Sequence, residues 1–187
     1  MTIATDSRIW QTLEVGFPGI ATGLVAGAVV GGLAALIGQP IGWALTGALV
    51  LGVLLASVGA VYGVMLARGW GRPGVFAPAA LLWLVGFPLA RLVHATYTPV
   101  LLGGAPTPPA DVLGFLAYQG IVSMGYAVGF IWLHERVAPY WFLRIRGHNP
   151  VAARIYETYS AHAESVYRQR TRRRAARGAG RASRGGT

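Results

Sequence analysis

The chain has no cysteine and no lysine, and only six of its 187 residues are acidic. Without cysteine there can be no disulfide, thiolate metal site or thiol chemistry, and nothing follows about compartment. Without lysine all sixteen basic side chains are arginine, which beside abundant Ala, Gly and Val reads as the bias of a GC-rich bacterial genome. The shortage of acid is the most restrictive of the three. No Asp or Glu lies between Glu14 and Asp111 or between Asp111 and Glu135, so the long apolar stretches lack the carboxylate on which proton-coupled carriers depend. A Walker A loop, a serine nucleophile elbow and a His-Glu-x-x-His metal motif are also missing. Ser57 and Ser123 have no histidine at their depth to activate them.

What the sequence does hold is apolar. Hydrophobic residues make up 54%, charged residues 12%, and mean hydropathy is +0.51. A soluble domain of this size could not hide so much apolar surface, and a bilayer is the natural solvent. Uncharged runs cover about 16–38, 41–67, 75–95 and 112–133, the third interrupted only by Arg91 and His94. Each approaches the roughly 20 residues that cross a ~30 Å hydrocarbon core at 1.5 Å per residue. The expected fold is an all-α integral membrane protein of four transmembrane helices, followed by a C-terminal cytoplasmic amphipathic helix. Residues 1–15 form a cytoplasmic N-terminal segment without the marks of a signal peptide, and 16–138 the membrane domain. Residues 139–176 form an interfacial segment and the cytoplasmic helix, and 177–187 a disordered Arg/Gly tail.

Arginine placement orients the spans. Arg68 and Arg72 sit in the loop after the second run, and everything after residue 134 is basic. The Gln39-Pro40 turn and the 96–111 loop carry no positive charge. Positive-inside puts both termini in the cytoplasm, and the GC-rich composition makes the bacterial inner membrane the expected location. Eight of the arginines fall in residues 168–187 with no acid among them, leaving +2 of the +10 net charge for the rest. Beside a membrane domain such a tail suits anionic lipid rather than nucleic acid. The expected lipid or anion contacts are Arg144, Arg146, Arg172, Arg173 and Arg174.

Three groups of residues stand out as candidate sites. Gly19, Gly23, Gly27 and Gly31 recur every four residues, and Gly52, Ala56 and Ala60 answer them in the next run. Missing side chains let helix backbones close up, and the two-residue turn makes these helices antiparallel neighbours. A self-association face is the alternative use of the same stripe.

Arg91 and His94 lie one turn apart on one helix face. An ionisable group inside a span is a functional candidate by default. With the third span ending near Ala95, both sit close to the outer surface, where Asp111, Tyr118 and Gln119 of the fourth span reach the same depth. The cluster would clip the two helices together or hold an anion, a quinone or a lipid head group.

The third group follows Asn149-Pro150, a good helix start with Asn as N-cap and Pro at the first position. Ala152, Tyr156, Tyr159, Ala163 and Val166 recur at 4-3-4-3 spacing as a stripe for docking a partner. His134-Glu135-Arg136 marks the inner end of the last span as an interfacial anchor.

His94 and His134 belong to opposite faces of the membrane, so one chain cannot supply bis-histidine haem ligation, and no metal or other cofactor is expected. The leading functional expectation is a non-catalytic accessory or structural subunit of a larger membrane complex, of respiratory, photosynthetic, oxygenase or envelope type. Its partners would be other membrane subunits, anionic lipid or a second copy of the chain. The alternatives are a small oligomeric channel or carrier in which Arg91 favours anions, and a membrane enzyme or quinone-binding protein built on Arg91, His94 and Tyr118.

Overall fold

A computed structural model describes residues 2–71 and 75–184, with side chains from 9 to 71 and 75 to 172. Arg72 and Pro73 of the basic loop fall outside it, as do the side chains of Arg173 and Arg174. Among the described residues there are five α-helices and no strand: α1 (Thr2–Leu36), α2 (Ile41–Ala67), α3 (Phe76–Leu101), α4 (Val112–Ile145) and α5 (Pro150–Arg184). Four of them, over Ile9–Leu36, Ile41–Ala67, Phe76–Leu101 and Val112–Ile145, are long and apolar enough to cross a membrane.

The helices end where local chemistry ends them. Gly38, at φ 87°, closes α1: its N–H donates to the Ala35 carbonyl and that of Gln39 to the Ala34 carbonyl, a Schellman stop only a residue free to take positive φ supplies cheaply. Gly103, at φ 85°, closes α3 by the same pattern on Val100 and Pro99. The third helix therefore runs to Leu101, six residues beyond the expected end near Ala95. Pro99 lies in the last turn, and beyond it Thr107 N–H returns to the Thr96 carbonyl. At the other end of the bundle α4 continues through Pro139 to Ile145, taking up the segment expected to lie at the interface. Residues 2–15, ahead of the first apolar run, are helical and continuous with it in α1. α5 stays helical to Arg184, into the 177–187 stretch expected to be a disordered tail; Ala and Arg are both strong helix formers.

α1 and α2 make the closest pairing in the molecule. A β-carbon on Gly19 would strike the backbone of Gly59, one on Gly23 that of Ala56, and one on Gly27 that of Gly52. Gly31 meets Ala48, and Ala60 packs over Gly16. The stripe is thus occupied within the chain. α2 then packs on α3, and α3 on α4.

The core at the centre is largely aromatic. Trp83, Phe87, Ala90, His94 and Thr98 form the buried face of α3, and Ala127, Phe130, His134, Ala138 and Phe142 that of α4. Tyr62 of α2 meets Phe130 and His134 edge-on at 5.4 and 5.0 Å between ring centroids. Trp83 lies 4.7 Å from Phe130 and 4.6 Å from Tyr126.

Candidate functional site

α1 and α4 meet at the end of the bundle that carries Arg68 and the start of α5, where Phe17 stacks on Trp141 at 4.2 Å. Away from this junction a cleft of about 690 Å³ lies between them. Val25, Val29 and Val30 of α1 and Val122 of α4, all partly exposed, flank its mouth. Leu51, Leu55, Phe87 and Arg91 lie deeper. Every lining residue except Arg91, Thr22 and Tyr126 is aliphatic, aromatic without a polar group, or glycine. Thr22 is already engaged with the Pro18 carbonyl at 2.8 Å.

Arg91 is ten residues from the Leu101 end of α3 and fifteen from Phe76, which places it roughly 15 Å and 22 Å along the axis from the two ends. The expected position counted the span as ending near Ala95, six residues before the helix does. The expected cluster is not assembled. Asp111 is exposed and caps α4 by accepting from Gly114 N–H at 2.9 Å. Tyr118 is 63% exposed. Gln119 is buried, but among the described residues no hydrogen bond joins it to Arg91 or His94. Extending α3 by one and a half turns moved the level of Arg91 on α4 from residues 115–119 to the neighbourhood of Val122 and Gly125.

The Arg91–His94 pair itself is present. Nη1 of Arg91 donates to Nδ1 of His94 at 3.0 Å. Arginine has no acceptor, so His94 is neutral here, with its proton on Nε2. That nitrogen faces Gly47 of α2, where an added β-carbon would stand 3.3 Å away. Glycine at 47 therefore leaves the room in which His94 holds Arg91. The ion pairs among the described residues join Glu135 to His134, Glu14 to His148 and Glu164 to Arg168, and none includes Arg91.

His134, expected at the inner end of the last span, is fully buried on α4. Its ring packs against Tyr62 and Phe130, and both nitrogens lack a hydrogen bond; Nδ1 is 3.9 Å from Glu135. The signal was legible: His134 continues the buried spacing of Ala127 and Phe130. It was masked by the adjoining Glu135 and Arg136, which read as a span end.

The tyrosine stripe of α5 is correctly placed on one face, but half of that face meets this chain and not a partner. Ala152 is fully buried and Tyr156 lies under the Arg146 guanidinium at 5.0 Å. The Tyr159 hydroxyl donates to Glu135 Oε1 at 3.0 Å. Burial, and then the Glu135 charge, push that phenol far above its usual range, so it remains a donor. Ala163 is exposed and Val166 half-buried. Arg144, Arg146 and Arg172 are exposed.

Asn149 does more than the N-cap expected of it. Oδ1 accepts from Val151 and Ala152 N–H at 3.0 and 3.1 Å, while Nδ2 donates to the Gln11 carbonyl at 2.8 Å and Glu14 Oε2 at 2.9 Å. Trp141 Nε1 donates to the Glu14 carbonyl at 2.7 Å, and His148 Nε2 lies 3.2 Å from Glu14 Oε1. α1, α4 and α5 are fastened at one junction. Among the described residues no group of three or more His, Asp or Glu could hold a metal ion.

No family model, curated protein or solved structure matches the chain.

Proposed function

We propose that the protein is a non-catalytic accessory subunit of a larger bacterial membrane complex, of respiratory, photosynthetic, oxygenase or envelope type. Four spans hold it in the inner membrane with the Arg68 end and both termini in the cytoplasm. The observation that carries this reading is the mounting of α5. Its first three turns are fastened to α1 and α4 through Asn149, Tyr156 and Tyr159, and Tyr159 is the last residue packed on the core. From Ser160 to Arg172 every side chain is exposed except Val166. The helix continues for 25 residues past Tyr159, roughly 38 Å, and carries eight arginines without an acid from Arg168 onward. A helix fastened at its base, with its side chains from Ser160 to Arg172 exposed apart from Val166, is suited to gripping an acidic face on a neighbouring subunit, with anionic lipid beneath Arg144 and Arg146.

The other expectations lose support. A catalytic cluster of Arg91, His94 and Tyr118 is not assembled. An anion pathway through Arg91 needs polar walls, and the cleft beside it is lined by Val, Leu and Phe.

The reading is tested by a photo-crosslinking residue at Tyr167, which is 72% exposed on α5. In intact cells it should trap one defined membrane subunit, and replacing Arg168, Arg170 and Arg172 by Glu should abolish the product. Crosslinking to lipid alone, or a protein product indifferent to those charges, would refute the proposal.

A further inference from the structure

We propose that the cleft between α1 and α4 binds a single-chain amphiphile with a carboxylate head, the carboxylate on Arg91 and the hydrocarbon chain along the cleft. The site stands apart from α5 and does not depend on what that helix grips. Four features lead to it.

Depth comes first. At roughly 15 Å from the nearer end of a 26-residue helix, Arg91 lies within the apolar length of α3 and not in its terminal turns. Second, no acid of this chain can balance it. The stretch from residue 15 to 110 holds no Asp or Glu, the ion pairs lie elsewhere, and His94 contributes only a neutral nitrogen. One of the five guanidinium N–H groups serves His94, leaving a fork free to meet a carboxylate in the bidentate manner. Third, the space fits. A cleft of about 690 Å³ is within the usual ~300–1,000 Å³ of small-ligand sites, and apart from Thr22 and Tyr126 its other walls are hydrocarbon. Fourth, Gly125 and Gly129 of α4 line it, and a β-carbon at either would meet nothing within 4 Å. The helix leaves open the room an acyl chain would fill.

The head group follows from charge and depth together. A phospholipid keeps its phosphate at the membrane surface, and an uncharged quinone leaves the cation unbalanced. A single carboxylate on a hydrocarbon chain balances the guanidinium in a pair with no net charge and suits the apolar walls.

The test uses the purified full-length chain in detergent, with displacement of the fluorescent fatty acid cis-parinarate and native mass spectrometry to count bound molecules. One molecule should bind per chain. Palmitate should displace it at least about tenfold better than 1-hexadecanol, since only the acid makes the charge-assisted pair. Arg91→Met should weaken binding by a similar factor and Arg91→Lys by much less. Gly129→Leu, which leaves Arg91 in place and fills open space, should also abolish binding without lowering the melting temperature; it keeps the test valid if Arg91→Met fails to fold. Equal displacement by hexadecanol or decylubiquinone, binding that survives both Arg91→Met and Gly129→Leu, or no binding to the intact chain would each overturn the proposal. The last result would leave Arg91 to a carboxylate on a partner's helix.

Discussion

Arg91 Nη1 stands 3.0 Å from His94 Nδ1, one turn along the same helix, and Gly47 of the neighbouring helix borders the other side of the imidazole. The three residues act as one device. If so, His94→Leu and Gly47→Leu should each destabilise the protein by about 1–2 kcal/mol, the scale of a lost buried hydrogen bond. The double substitution should cost clearly less than their sum, because the second change removes a contact already lost. Thermal unfolding of the four proteins in one detergent measures the coupling; strict additivity would separate Gly47 from the pair.

The α1–α2 contact makes two glycines of α1 behave oppositely. Gly23→Leu drives a side chain into the backbone of Ala56 and should lower stability by about 1–3 kcal/mol. Gly32→Ala meets nothing within 4 Å and should raise it by roughly 0.5–1 kcal/mol through helix propensity. Melting curves of the two variants check this; loss of stability in Gly32→Ala would mean that face is already covered.

Asn149 satisfies two N–H groups of α5 and two acceptors on α1 with one amide. Asn149→Ala should cost about 2 kcal/mol, the upper range for an N-cap, and should loosen α5 before the spans. Hydrogen exchange should accelerate across 150–160 and stay unchanged in α2 and α3. Uniform acceleration would show that the junction supports the whole bundle.

How far the fold was legible in the sequence depended on what marked each helix boundary. The α1–α2 pair was readable because its turn is two residues long and its glycines are spaced by four. The ends of α3 and α4 were not. The apolar runs stop near Ala95 and Leu133, where the span ends were set, yet both helices continue past those points. Counting from those ends set Arg91 beside Tyr118 and Asp111, both of which are exposed in the structure, with Asp111 capping α4. Asn149 was recognised by its N-cap position, whereas its hold on Gln11 and Glu14, more than 130 residues away, has no local signal. The tyrosine stripe was real, but periodicity cannot say whether a face meets its own chain or another.

Orientation can be read out because the chain has no cysteine. Single cysteines at Gln39, Ala105, Trp70 and Tyr167, all exposed, should divide into two classes with a membrane-impermeant maleimide. From outside spheroplasts, Gln39 and Ala105 should label while Trp70 and Tyr167 stay silent until lysis, as the arginine distribution predicts. Labelling of Tyr167 from outside would invert the topology and remove α5 from the cytoplasm.

The central claim is that α5 joins the protein to a membrane assembly. It is tested most directly by native mass spectrometry of the complex released from native membranes, comparing the intact chain with one lacking residues 169–187. The intact chain should appear at fixed stoichiometry in a particle larger than itself, and the shortened chain should remain folded and membrane-bound but leave that particle. An intact chain found alone, or a shortened chain still at full occupancy, would contradict the account.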